Sequence, residues 1–147
     1  MQKVEVLWDA VTSDYKILKF LSGNVAKVQE IKTKKIFAIK FVRDLLTDFK
    51  NVMRQIQIMA ELSKMKNNIF TSKLVRIILP PNEKFMYLFL VMEYNSMSLD
   101  TLFAQEVPNF DFKTIKVIFY NLLCCIKYLH SANVIHRNLS PKHILVG

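Results

Sequence analysis

The spacing of apolar residues changes period along the chain, and each change marks an element. Tyr15 to Leu21, Val25 to Ile31 and Ile36 to Val42 read as three short strands. Ser22-Gly23-Asn24 supplies the first turn and a lysine-rich stretch the second. From Asp48 the period becomes helical, with Val52, Ile56 and Met59 on one face, and it fades near Asn67-Asn68. Two more apolar runs, Lys73 to Leu79 and Tyr87 to Glu93, flank the turn composition of Pro80-Pro81-Asn82. After Leu99 the sequence turns helical again. Ile115, Ile118, Phe119, Leu122, Ile126 and Leu129 build the apolar face of a long helix ending near His130. The pattern predicts an α+β chain: a five-stranded antiparallel sheet with one inserted helix, then the first helices of a helical region.

Composition narrows the class. At 147 residues, with 52% apolar and 22% charged positions, the chain has the make-up of one packed domain and not of a disordered segment. The formal charge of +9 would suit a nucleic-acid surface, but the lysines sit in scattered short turns such as Lys32 to Lys35 and Lys64 to Lys66. Solvated faces explain them better, and a basic nucleic-acid module stays a distant alternative. Cys124 and Cys125 are neighbours in a helical pattern, where a mutual bond would be strained, so a reducing, intracellular setting is expected, cytoplasmic or nuclear. No apolar run reaches the length of a membrane span.

Three ordered segments resemble the eukaryotic protein kinase family. Lys127-Tyr128-Leu129-His130-Ser131-Ala132-Asn133-Val134-Ile135-His136-Arg137-Asn138-Leu139-Ser140-Pro141 is similar to the helix end and catalytic loop of MAP kinases. Phe37-Ala38-Ile39-Lys40 resembles the strand whose lysine holds ATP phosphates. Leu90-Val91-Met92-Glu93-Tyr94-Asn95 resembles the last sheet strand and hinge. The resemblance implies a domain over 15–147, divided into a nucleotide lobe (15–94) and the start of a helical lobe (95–147), after an N-terminal extension (1–14). It also implies an ATP site using Gly23, Val28, Ala38, Lys40, Met92, Glu93 and Asn95, with the Glu93 carbonyl and Asn95 amide facing the adenine edge.

Phosphoryl transfer requires positioning and charge, so each departure from the family can be judged by what its position must do. Aligning the glycine-rich loop with Leu21 to Val28 leaves only Gly23, with Leu21 and Ala26 at the outer glycine positions. Gln55 stands where a glutamate pairs with the strand lysine. Asn138 replaces the aspartate that accepts the substrate proton, which forfeits about 10²–10⁴ in rate. Ser140 replaces a lysine, and His143 replaces an asparagine that ligates magnesium, a cation that prefers oxygen. The given sequence stops at Gly147, ahead of where the family carries D-F-G. The expectation is therefore an inactive, pseudokinase-like or truncated chain that binds ATP weakly and magnesium not at all. The alternative is the first part of a longer active serine/threonine kinase. The apolar face of 115–129 is expected to self-associate or to need a protein partner. Limited proteolysis leaving that helix as protected as the sheet would contradict this.

Overall fold

The computed structural model describes residues 8–43, 45–66, 68–79, 86–105 and 111–146. The turn expected at Pro80-Pro81-Asn82, and also Asn67 and Gly147, lie outside these residues. The described residues form two compact units, one built from 1–67 with 72–94 and the other from 68–71 with 95–147.

In the first unit, β1 (Tyr15–Ser22), β2 (Val25–Glu30), β3 (Ile36–Val42), β4 (Leu74–Ile78) and β5 (Leu88–Glu93) make one antiparallel sheet in the order β1-β2-β3-β5-β4. Helix α1 (Leu45–Lys64) is inserted between β3 and β4. The pattern placed the start of this helix at Asp48, and Asp48 has non-helical angles (φ −127°, ψ 27°) that kink the chain between a first turn and the main helix. The expected face is present, since Val52 and Ile56 are buried and Met59 packs partly buried beside them, while Leu45 and Leu62 extend it at either end.

Strand alternation sends side chains to two different cores. On one face Val42, Leu88 and Leu90 pack with Leu45, Val52 and Ile56 of α1. On the other, Ala26, Val28, Ile39, Phe41, Phe89 and Val91 pack with Tyr15 and with Trp8 and Val11. Because both faces are covered, Leu88 to Val91 are all buried, and β5 reads as a continuous apolar run without alternation. Trp8 and Val11 belong to a helical segment at 8–12 that the periodicity did not show. Trp8 is 2% exposed, and its ring centroid lies 5.3 Å from that of Phe20 and 5.2 Å from that of Phe89. The segment before Tyr15 thus supplies core to the sheet instead of merely preceding it.

The second unit contains β6 (Met97–Ser98), α2 (Leu99–Phe103), α3 (Phe112–Ser131), a 3₁₀ turn (Pro141–His143) and β7 (Leu145–Val146). Asp111 caps α3 by accepting from the Thr114 amide at 2.7 Å, and the Thr114 hydroxyl together with this bond lowers the pKa of its carboxyl below the ordinary value. Strands β6 and β7 pair antiparallel and join the two ends of the unit, a pairing with no signature in the sequence. No helix among the described residues is long and apolar enough to cross a membrane.

The long helix departs from its expected face. Leu129 is buried and Ile118, Leu122 and Ile126 are half-buried, whereas Phe112, Val117, Phe119, Tyr120 and Leu123 are exposed on the rest of the circumference. Large apolar side chains thus spread beyond a single stripe, with Lys113, Thr114, Lys116 and Asn121 interspersed among them.

Candidate functional site

The site residues fall into two groups, one in each unit. In the sheet unit, antiparallel register decides which side chains share a face. Val25 lies opposite Lys40, Lys27 opposite Ala38, and Ala38 opposite Met92, so Val25, Lys27, Ala38, Lys40 and Met92 occupy one face. Val28 lies opposite Phe37 and is fully buried with Trp8 and Phe41 on the other face. This corrects the expectation for Val28. A side chain enclosed in that core cannot touch a ligand beside Lys40, and Val25 is the valine that can. Ala26 is fully buried on the same wrong face, so it does not stand at a phosphate-facing loop position either. The family motif laid over Leu21 to Val28 puts Val28 at its closing valine. The register through the turn at 31–35 sets the correct parity.

Gly23 occupies the turn between β1 and β2, and a Cβ built there would meet nothing within 4 Å. Its backbone also needs no left-handed angle. The local fold therefore does not demand glycine at this position, and the exposed flank at Leu21 carries a side chain where close approach to a phosphate would require none.

Lys40 projects toward α1, where its Nζ donates to Gln55 Oε1 at 3.5 Å, a long and weak hydrogen bond. The amide of Gln55 also lies 3.9 Å from Met59 Sδ. Burial without a carboxylate partner lowers the pKa of Lys40 from its ordinary value. Its unfolded form then binds more protons than its folded form. The stability contributed at this position therefore rises as pH climbs from the folded pKa toward the unfolded one. Gln55→Glu supplies the missing charge. It is expected to raise stability at neutral pH by about 0.5–2 kcal/mol, nearer the lower figure after solvent screening, and to flatten the alkaline rise. Urea midpoints of the two chains at neutral and alkaline pH measure both effects, and an unaltered pH dependence would contradict the pairing.

A second cation stands on this face. Lys27 Nζ lies 4.4 Å from the Tyr94 ring centroid, a cation–π arrangement that sequence reasoning missed. Met92 is half-buried, and Glu93 pairs with Lys73 at 3.9 Å while its amide donates to the Lys73 carbonyl. Glu93 belongs to the first unit and Asn95 to the second.

In the second unit the helix α3 stops at Ala132, and Asn133 takes a left-handed angle (φ 56°) that turns the chain. Arg137 is also left-handed (φ 65°), an uncommon conformation for a side-chain-bearing residue and one found at functional loops. It reverses the backbone between His136 and Asn138. Pro141 then opens the 3₁₀ turn that carries His143, closed by the His143 amide on the Ser140 carbonyl at 2.9 Å.

That turn folds His143 back on its own loop. Its Nδ1 lies 2.8 Å from the Asn138 carbonyl oxygen and 3.1 Å from Ser140 Oγ. A carbonyl oxygen can only accept, so His143 Nδ1 carries the proton. Asn138, Ser140 and His143 thus meet in a closed local network. The loop offers no carboxylate for a substrate proton, and its imidazole is not an oxygen donor for magnesium, so the residues present do not fit that ion. The two cysteines are free thiols, and burial raises the pKa of Cys125, which donates to the Phe70 carbonyl at 3.5 Å.

Comparison with known proteins shows the family of the chain. Residues 21–147 match the family model for the protein kinase domain. The chain is similar to "Extracellular signal-regulated kinase 2" of Dictyostelium discoideum, at 32% identity over 100% of the chain and 37% of that protein. It is similar to "Mitogen-activated protein kinase 13" of Oryza sativa subsp. indica, at 33% over 85% of the chain and 24% of that protein. It is also similar to "Mitogen-activated protein kinase 15" of Xenopus laevis, at 32% over 94% of the chain and 24% of that protein. The chain therefore spans from about a quarter to somewhat over a third of the length of these curated relatives.

Proposed function

The chain belongs to the protein kinase family, and from that premise we propose that it serves as a catalytically silent kinase-fold module with weak, metal-independent affinity for ATP. The observation that carries this reading is the catalytic loop. Asn138 presents a neutral amide where a proton acceptor is required, and His143 is held by its Nδ1 on the Asn138 carbonyl in place of an oxygen ligand.

Support for residual nucleotide binding comes from the sheet unit. Val25, Ala38 and Met92 give an apolar surface beside Lys40, which suits a flat base next to one phosphate-binding cation. Against tight binding stand the side chains at the β1–β2 turn and the weak 3.5 Å support of Lys40 by Gln55. Titrating ATP while following thermal unfolding tests the reading. The expected result is a small shift at millimolar ATP that is the same with and without magnesium, and a tenfold tighter response with magnesium would contradict it.

A second reading is favoured by one observation, the partial coverage of the relatives' length. On that reading the chain is the first part of a longer serine/threonine kinase whose remaining segments supply magnesium ligands and a substrate surface. The coding sequence past Gly147 decides: D-F-G and A-P-E there would favour this reading, and a stop would exclude it.

A further inference from the structure

The apolar surface assigned to the base carries a cover of its own. Across β2, β3 and β5, Lys27 lies opposite Ala38 and Ala38 opposite Met92, so the three stand in one row on the face of Lys40. Tyr94 follows the end of β5, two residues after Met92, and strand alternation returns its side chain to that face. Lys27 Nζ stands 4.4 Å from the centroid of the Tyr94 ring. A side chain that starts on β2 and ends over Tyr94 passes across β3 at the level of Ala38.

Two observations agree with that path. Ala38 is only 9% exposed although it faces the surface proposed for the base, and Lys27 is itself half-buried. A lysine on an open surface carries its ammonium out to water on its apolar stem, whereas this one stays on the sheet.

We propose that Lys27 and Tyr94 form a latch across the base-binding surface, which a nucleotide must displace before its base can stack on Val25, Ala38 and Met92. The latch rests on the nucleotide reading of this face and adds a cause for its low affinity. A cation held over an aromatic ring is attracted modestly, so the cover is reversible, and releasing it weakens an equilibrium by about two- to fivefold. The same residue has an opposite role available, as a second cation that attracts phosphate. The two roles differ in sign. Loss of a phosphate-binding cation weakens ATP and leaves an uncharged nucleoside unaffected, while loss of a latch strengthens the nucleoside.

Adenosine, which carries no phosphate, and ATP are therefore titrated separately into the full chain and followed by thermal unfolding. Lys27→Val places a strand-favouring apolar residue at this position and is expected to lower the half-saturating adenosine concentration by about two- to fivefold. ATP is expected to gain less, because an attractive charge is lost with the latch. Lys27→Arg keeps a cation over the ring and is expected to match the parent. Tyr94→Leu removes the ring, is expected to give the adenosine gain of Lys27→Val, and decides the matter if Lys27→Val does not fold. Adenosine binding no tighter in Lys27→Val than in the parent, or equally improved in Lys27→Arg, would overturn the proposal. The parent's own response to ATP tests the nucleotide reading, and the ratio of variant to parent tests the latch, so the two fail separately.

Discussion

Trp8→Ala is expected to destabilise the sheet unit by about 3–5 kcal/mol, the range for removing a large buried aromatic side chain. Trp8 fills the space between Phe20, Phe41 and Phe89, with ring centroids 5.3, 6.2 and 5.2 Å away, so its removal leaves a vacancy lined by aromatic rings. Its Nε1 finds no hydrogen-bond partner among the described residues. Trp8→Phe removes that orphaned donor with much less lost volume, and is expected to cost less than about 1.5 kcal/mol. Denaturant unfolding followed by circular dichroism compares the three chains. Fluorescence cannot serve, because Trp8 is the only tryptophan. A loss under 1 kcal/mol for Trp8→Ala would mean that the segment at 8–12 is dispensable to the sheet.

The second large effect is one of rate, and it tests how many parts of the site are missing. A positioned carboxylate at 138 would supply about 10²–10⁴ in rate if the rest of the machinery were assembled. Catalytic groups act as a unit, so restoring one recovers little when its collaborators are absent. Asn138→Asp alone is therefore expected to leave phosphate transfer at the background set by Lys40→Met, because Gln55 and His143 still stand at their positions. A hundredfold rise on that single change would show that the remaining site is complete and that Asn138 alone silences it. Filter-bound radiolabel from ATP, measured on the two variants, distinguishes these outcomes.

Much of this architecture was legible in the sequence, for identifiable reasons. Strands β1 to β5 announced themselves through short apolar runs separated by turn residues, and α1 through a helical period that begins at the residue where the kink lies. The Lys40–Gln55 meeting followed from the family pattern, and the structure places the two atoms 3.5 Å apart. What failed was information carried by distant pairing. Val28 and Val25 are equally plausible as letters, and only the register of β2 on β3 shows that Val25 shares the face of Lys40. Trp8 lies ahead of the first apolar run that the sequence pattern marks, so its burial had no sequence mark. The β6–β7 pair has two residues on each side, far apart in the chain, and local propensity says nothing about it. On α3 the predicted stripe was only part of a wider set of apolar side chains, because apolar residues outside one stripe do not reveal which side is covered.

The proposed silence of this kinase-family chain has a direct test. The direct measurement is transfer of the γ-phosphate from labelled ATP, to the chain itself and to a generic basic protein substrate, with magnesium or manganese present. The expected incorporation is indistinguishable from that of Lys40→Met. Incorporation that rises in proportion to the amount of chain and disappears in Lys40→Met would contradict it.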